Sequence, residues 1–251
     1  MRKLLLWDFD GVIVDSVQEC LLTAYNAFLA YQKISSEPIT SLNNIPEKHR
    51  NAFYRKRGYV RRAGGYLSLT KAIYFNMNID EYSIFLKIFE EDKSHLERYE
   101  KTFFKIRDNL RSINPASWYE LHGLYQWIRT NWNRLAEKYD FFIVSNKDRH
   151  SISLILKHFE LMMKEINIFG NEFSLEKKTI IKHIIKKNNV LPNQVSYVDD
   201  NYHHLTDVAE LGIRLFFASW GYGEKPLNSS RNIIDLSEKN FIEALLDGHN
   251  G

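Results

Sequence analysis

The sequence predicts an α/β fold in which a doubly wound parallel sheet carries an inserted all-α domain. Four short apolar runs are continuous rather than alternating, which is typical of strands that helices bury on both faces. Segments with helical periodicity separate these runs, as a doubly wound sheet requires. One helical stretch between the first and second runs is far too long for a simple crossover, and it predicts the inserted domain.

Each apolar run is assigned to one strand. The predicted strands are Lys3–Phe9, Asp140–Asn146, Gln194–Asp200 and Arg214–Trp220. Helices are predicted before the second, third and fourth strands, within Leu121–Tyr139, Leu175–Asn189 and His204–Ile213. Gly212 is well placed to end the last of these helices.

The long stretch after the first strand has helical periodicity throughout. Its predicted helices are Glu19–Gln32, Glu47–Arg57, Ser68–Met77 and one long helix over Asp80–Leu110. We therefore expect an α/β core formed by residues 1–16 and 118–251, and an inserted helical domain formed by residues 17–117.

Composition limits the classes of protein to consider. Hydrophobic residues make up 44% of the 251 residues and charged residues 26%, as in an ordinary globular protein. The formal net charge of +3 gives no sign of a nucleic-acid binder. Cys20 is the single cysteine, so no intrachain disulfide can form. No apolar run is long enough to span a membrane, and Asp8 and Asp10 interrupt the apolar start, so we expect a cytoplasmic protein.

The polar candidates share one position, the carboxyl end of a predicted strand. They are Asp8 and Asp10 after the first strand, Ser145 and Asn146 at the end of the second, and Asp199 and Asp200 at the end of the third. Ligands of parallel sheets bind outside these strand ends, so the groups should converge. Several converging carboxylates need a cation, and oxygen ligands suit Mg²⁺. Lys177 would bring a further positive charge.

This arrangement favours phosphoryl transfer. Asp8 would attack phosphorus to form an aspartyl-phosphate, and Asp10 would protonate the leaving oxygen and later deprotonate water. Ser145 and Lys177 would stabilise charge on the transferred oxygens. Gly11 would let the backbone approach the phosphate.

Three segments resemble motifs of the haloacid dehalogenase superfamily, in its phosphatase branch, which includes members like phosphoglycolate phosphatase and beta-phosphoglucomutase. "WDFDGVIVDS" resembles the first motif, "FFIVSNKD" the second and "YVDDN" the fourth. The resemblance covers Met1–Ser16 and Trp118–Asp247. It implies a HAD-like, Rossmann-type core, Mg²⁺, an aspartyl-phosphate intermediate and a helical cap inserted after the first motif.

Alignment with the family suggests a role for each remaining position. The third-motif lysine is Lys177 or Lys178, and the following apolar positions favour Lys177. Asp200 aligns with the direct metal ligand, which leaves Asp199 in the outer shell. Many relatives carry an acid where this chain has His204. For His204 we expect a role in the outer shell or at the surface rather than as a ligand, because Mg²⁺ prefers oxygen. The presence of Asp10 disfavours dehalogenation.

The inserted segment contains "FYRKRGYVRRAGGY" (Phe53–Tyr66), in which five basic residues are interleaved with aromatic ones. Most of these basic residues are expected to form a solvated helix face. Arg61 and Arg62 precede a glycine turn that we expect to be flexible, and they could bind a second phosphate or a carboxylate of the substrate. The modest net charge makes a nucleic-acid partner the weaker interpretation.

The sequence therefore predicts a Mg²⁺-dependent phosphatase acting on a small phosphorylated metabolite. A cap that closes over the site would exclude water and bulky substrates. One alternative is a phosphomutase that returns the phosphoryl group from Asp8 to a sugar phosphate. Another is a non-catalytic binding module. Such a protein would be expected to lack Asp8, Asp10 or the acids of the fourth motif, and all of them are present.

Overall fold

The computed structural model describes residues 3–226, 230 and 232–247. Within these residues the chain divides into two compact units. The core unit comprises Met1–Asp15 and Gly123–Gly251, and the helical unit comprises Ser16–His122.

The core unit is built on a parallel sheet of six strands. Its strands are β1 (Lys3–Trp7), β4 (Tyr139–Val144), β5 (Ile168–Phe169), β6 (Val195–Asp199), β7 (Arg214–Ala218) and β8 (Ile233–Leu236). The spatial order is β5-β4-β1-β6-β7-β8, and every neighbouring pair is parallel. The prediction of an α/β core with a parallel sheet is confirmed.

Strand order places the candidate residues at the centre of the sheet. From β1 the chain adds β4 and β5 on one side and then β6, β7 and β8 on the other. The order therefore reverses between β1 and β6, which is the position where parallel α/β sheets bind ligands. Hydrogen bonding continues past the end of β1, because the Asp8 amide donates to the Val198 carbonyl at 2.8 Å.

Helices flank this sheet and bury its apolar side chains. They are α7 (Gln126–Ala136), α8 (Arg149–His158), α9 (Lys177–Asn188), α10 (Tyr202–Val208) and α11 (Phe241–Asp247). One apolar cluster joins Leu4 and Leu6 of β1 to Ile180 and Ile184 of α9. Gly212 ends the segment after α10 with φ +67°, as the sequence indicated.

A separate two-stranded pair lies where the chain leaves and re-enters the core unit. It is formed by β2 (Val14–Asp15) and β3 (Gly123–Leu124), which are antiparallel. Asp15 is paired with Gly123 in this register.

The described residues of the helical unit form helices and turns. The helices are α1 (Val17–Tyr31), α2 (Glu47–Lys56), α3 (Gly65–Tyr74), α4 (Tyr82–Glu91), α5 (Leu96–Ile113) and α6 (Pro115–Glu120). Its core contains a buried ion pair, in which the guanidinium of Arg107 donates to both carboxylate oxygens of Glu19 at 2.8 and 2.9 Å. Thr23 donates to the same carboxylate at 2.8 Å.

Several element predictions need correction. The helix predicted over Asp80–Leu110 is broken at Asp92, whose buried carboxylate accepts hydrogen bonds from Ser68 and Lys71 on α3. All four predicted strands begin within one residue of the prediction and end one or two residues earlier, because the chain bends or turns away from the sheet at their ends. The strands β2, β3, β5 and β8 were not predicted.

The glycine turn in the inserted segment is not the flexible loop that the sequence suggested. Gly64 and Gly65 are buried, and a Cβ at Gly64 would lie 3.2 Å from the Cβ of Leu96. Phe53 and Tyr66 are also buried, and their rings stack at 5.7 Å. The aromatic residues at both ends of the basic segment therefore belong to the core of the helical unit.

No helix in the described ranges is long and apolar enough to cross a membrane.

Candidate active site

The first candidate, Asp8, lies directly after β1 and is buried. Its Oδ1 accepts the amide of Phe9 at 2.8 Å, which fixes the carboxylate at the strand end. The chain then turns sharply, since Gly11 has φ +84° and donates its amide to the Val14 carbonyl at 2.7 Å. A positive φ of this size favours glycine, so Gly11 is required by the turn itself.

The ammonium of Lys177 joins the acids of two neighbouring strands. Its Nζ lies 2.8 Å from Oδ2 of Asp8 and 2.7 Å from Oδ2 of Asp199, at the ends of β1 and β6. Lys177 is the first residue of α9 and is buried. Lys178 instead pairs with Glu210 at 2.8 Å, outside this cluster. Of the two lysines that the sequence left open, the structure brings only Lys177 to the acids.

Asp199 is fully buried and closely hydrogen-bonded. It accepts hydrogen bonds from the Tyr197 hydroxyl and from the Asn201 amide, the latter at 2.8 Å. The Nδ1 atom of His204 lies 3.2 Å from its Oδ2. His204 is thus buried beside Asp199 and does not lie at the surface, which was one of the two positions expected for it.

Asp200 is enclosed by glycines. Its Oδ2 accepts the amide of Tyr222 at 2.7 Å. A Cβ at Gly11 would lie 2.3 Å from that same oxygen, and a Cβ at Gly221 would lie 2.2 Å from the Asp200 Cβ. Side chains at these two glycines would collide with Asp200, so the loops after β1 and β7 approach it through residues without Cβ atoms.

Asp10 contacts a residue that sequence reasoning missed. The Nζ atom of Lys147 lies 3.2 and 3.4 Å from its two carboxylate oxygens, and Lys147 is buried. Ser145, the first residue after β4, is also buried, and its Oγ accepts the Lys147 amide at 3.3 Å. Asn146 lies between them and is partly buried. The signal for Lys147 was available, because it directly follows the polar pair at the end of that strand.

Ion pairs join five of these residues into two groups at the carboxyl ends of β1, β4 and β6. One group contains Asp8, Lys177 and Asp199, and the other contains Asp10 and Lys147. Arg61 and Arg62 belong to the helical unit. Their contact with substrate stays a prediction.

Burial and charge act differently on the two acids that Lys177 joins. Burial raises the pKa of Asp8 from 3.8 to about 6, against the opposing effect of Lys177. Burial also opposes ionisation of Asp199, but the charges of Lys177 and His204 outweigh it and hold that pKa well below its usual value. Burial disfavours the charged form of Lys177, yet Asp199 and Asp8 together raise its pKa. The cluster therefore contains a firmly ionised Asp199 and an Asp8 whose charge is incompletely compensated.

These residues suit a divalent cation. Asp8, Asp199 and His204 each offer a ligand atom, and the three atoms lie within 4.8 Å of one another. The raised pKa of Asp8 indicates that Lys177 alone does not offset its buried charge, so a further positive charge would be favourable here. Carboxylate oxygens are ligands that hard cations such as Mg²⁺ prefer.

Fold and site together define a Rossmann-type α/β protein with a buried acidic cluster at the switch point of its sheet. A family profile described as haloacid dehalogenase-like hydrolase matches residues 63–218, more than half of the chain. The chain belongs to this family of hydrolases. The matched range includes the Lys177 and Asp199 segments but not the Asp8 loop. No curated protein sequence matches the chain.

Solved structures share the fold at low sequence identity. A predicted phosphoglycolate phosphatase from Haemophilus somnus is similar with a TM-score of 0.65 and 14% identity, over 97% of this chain and 98% of that one. A haloacid dehalogenase-like hydrolase from Streptococcus pneumoniae gives 0.56 and 18%, over 97% of both chains. A predicted phosphatase from Clostridium acetobutylicum gives 0.58 and 17%, over 98% and 99%. At these identities the likeness concerns the fold.

Proposed function

We propose that the protein is a Mg²⁺-dependent phosphatase that hydrolyses a small phosphorylated metabolite through an aspartyl-phosphate on Asp8. The observation that carries this proposal is the buried Asp8–Lys177–Asp199 cluster at the end of β1 and β6. Membership of a hydrolase family supports it, as does the fold shared with proteins described as phosphatases.

Asp8 is the proposed nucleophile. Its carboxylate would attack phosphorus, forming an Oδ–P bond while the bond from phosphorus to the leaving oxygen breaks. The Asp8 amide donates to the Val198 carbonyl, and the Asp8 carboxylate accepts the Phe9 amide. These two hydrogen bonds hold the carboxylate at the strand end and limit its orientations. Lys177 lies within hydrogen-bond distance of Asp8, so it can also reach oxygens of a phosphoryl group bound to Asp8.

Asp10 is the proposed acid and base. It would give a proton to the leaving oxygen and later take one from the water that hydrolyses the aspartyl-phosphate. Lys147 contacts both of its carboxylate oxygens and would hold the side chain in place between these steps. Ser145 would donate a hydrogen bond to the transferred phosphoryl group.

Following the alignment with the family, the proposed ligands of Mg²⁺ are the side chains of Asp8 and Asp200 and the backbone carbonyl of Asp10. Asp199 and His204, whose ligand atoms lie within 4.8 Å of a ligand atom of Asp8, are proposed to support the cation from the outer shell. When bound, Mg²⁺ would supply positive charge that offsets repulsion between the carboxylates and an anionic phosphate ester. The helical unit, including Arg61 and Arg62, is proposed to select the substrate.

The test is phosphate release from a panel of sugar phosphates, phosphoglycolate, nucleotides and an aryl phosphate, with Mg²⁺ and with EDTA. We expect Mg²⁺-dependent release from one class of compound well above the others. Acid-quenched intact-mass measurement should detect a phosphoryl adduct, which Asp8→Asn should abolish. Release without an adduct on the wild-type chain would contradict the proposed intermediate.

Lys177 and Lys178 provide a matched pair of variants. Lys177→Met should lower kcat by at least about a hundredfold, because the charge beside the nucleophile is lost. Lys178→Met removes the same charge from the neighbouring residue, and we expect a kcat close to that of the wild type. Equal activity of the two variants would refute the role given to Lys177. Isomer formation from a sugar bisphosphate, without free phosphate, would instead identify a phosphomutase.

A further inference from the structure

The helical unit contains a polar pocket unrelated to any residue of the proposed reaction. It has a volume of about 410 Å³ and lies where the end of α1 meets α3 and the start of α5. Its lining includes the uncharged Tyr31 and Gln32 and the ionisable side chains of Lys33, Lys71, Asp92, His95 and Arg98. Tyr31 is the last residue of α1, about 21 Å along the helix from Val17 at 1.5 Å per residue.

Positive charge exceeds negative charge in this pocket. Asp92 is its single lining carboxylate, and that group is already hydrogen-bonded to Lys71 and, at 2.7 Å, to Ser68. Lys33 and Arg98 form no ion pair with any residue in the described parts of the chain. Two cationic side chains therefore face one cavity without a carboxylate to balance them.

Aromatic and imidazole contacts hold the pocket wall in place. The Tyr31 hydroxyl lies 2.9 Å from Nδ1 of His95. The guanidinium carbon of Arg98 lies 5.5 Å from the centre of the Tyr31 ring, a cation–π distance. The Tyr31 ring thus limits the orientations of Arg98 before any ligand binds. A cation–π contact engages the face of the guanidinium, so the N–H groups in the guanidinium plane can still donate hydrogen bonds to an anion.

We propose that this pocket binds a small multivalent anion, one that carries phosphate or carboxylate groups. Its volume lies within the usual range for small-molecule sites, which favours a metabolite over a macromolecule. Arg98 would form a bidentate contact with one anionic group, and Lys33 and Lys71 would supply point charges. Because none of the acids after β1 or β6 belongs to the helical unit, the site does not depend on the proposed phosphatase reaction.

The experiment is calorimetric titration of the full-length chain, in EDTA, with pyrophosphate and separately with citrate. EDTA removes the metal that the proposed turnover of pyrophosphate requires, so the wild-type chain and its variants can be titrated directly. The pocket variant is Lys33→Gln with Arg98→Gln, and the matched control is Lys87→Gln with Lys105→Gln. The control residues are exposed residues of α4 and α5 outside the pocket lining, so both variants lose two positive charges from the same unit.

We expect wild-type binding of at least one probe, weakened at least about tenfold in the pocket variant and by less than about twofold in the control. Binding of pyrophosphate alone would identify phosphate groups as the ligand chemistry, and binding of citrate alone would identify carboxylates. Absence of binding at millimolar concentration would overturn the proposal. Equal affinity in the pocket variant and wild type, or equal weakening in both variants, would overturn it too.

Discussion

The incompletely compensated charge of Asp8, the proposed nucleophile, predicts that this side chain destabilises the protein when no cation is bound beside it. Asp8 is buried, and burial raises its pKa from 3.8 to about 6. The folded chain therefore holds this proton more tightly than the unfolded chain does. A raised carboxyl pKa gives stability that is present below pH 3.8 and is lost as pH rises through about 6. Asp8→Asn removes the ionisation and so removes this loss.

The size of the effect follows from the two pKa values. One pKa unit corresponds to about 1.4 kcal/mol, so the full loss at neutral pH is about 3 kcal/mol. About 2 kcal/mol of it should develop between roughly pH 4.5 and pH 7.5. The amide of the variant also interacts with Lys177 differently, which adds a pH-independent amount to the free energy of unfolding. The quantity to compare is therefore how the free energy of unfolding of the variant, relative to wild type, changes with pH.

The assay is urea denaturation of wild type and Asp8→Asn in EDTA at those two pH values. We expect the stability of the variant relative to wild type to increase with pH by about 2 kcal/mol. Asp235→Asn is the control, since Asp235 lies in the same unit with its side chain 50% exposed, and its effect should stay within about 0.5 kcal/mol. A relative stability of Asp8→Asn that is flat or decreases with pH would refute the reasoning.

Two further predictions concern packing. Arg107→Ala leaves the buried Glu19 carboxylate without its guanidinium and should lower the free energy of unfolding by about 3–5 kcal/mol in urea denaturation. Arg107→Met combined with Glu19→Leu removes both charges and should recover most of that stability. An equal loss in both variants would contradict this prediction. Gly11→Ala forces a residue with φ +84° against Asp200 and should cost at least about 1–2 kcal/mol, with reduced Mg²⁺ affinity by calorimetry. Gly123→Ala, whose Cβ would lie 3.8 Å from its nearest neighbour, should fold nearly as well, and a similar loss there would argue against a specific role of Gly11.

The central strands could be predicted from sequence because helices on both sides demand continuous apolar residues. The runs of β1, β4, β6 and β7 carry this signal. The edge strands do not: β5 has two residues, and β8 has two exposed residues between its buried ends. The break at Asp92 was equally invisible, because it depends on hydrogen bonds to α3, far away in sequence.

The site could be predicted to the extent that strand ends define it. Parallel strands end at one edge, so the positions of Asp8 and Asp199 follow from their runs. The choice between Lys177 and Lys178 depends on the rotation of α9 about its axis, which the sequence does not give with certainty. Contacts such as Lys147 with Asp10 join two strands, and only the strand order brings them together.

The short β2–β3 pair has a consequence for how such a chain can change. Because Asp15 is paired with Gly123, the residues of the helical unit form the connection between the two strands of a hairpin. The entropy of closing a loop grows only with the logarithm of its length, by about 0.6 kcal/mol per doubling. The helical unit can therefore lengthen, shorten or be exchanged over evolutionary time while the strands and their acids keep their register.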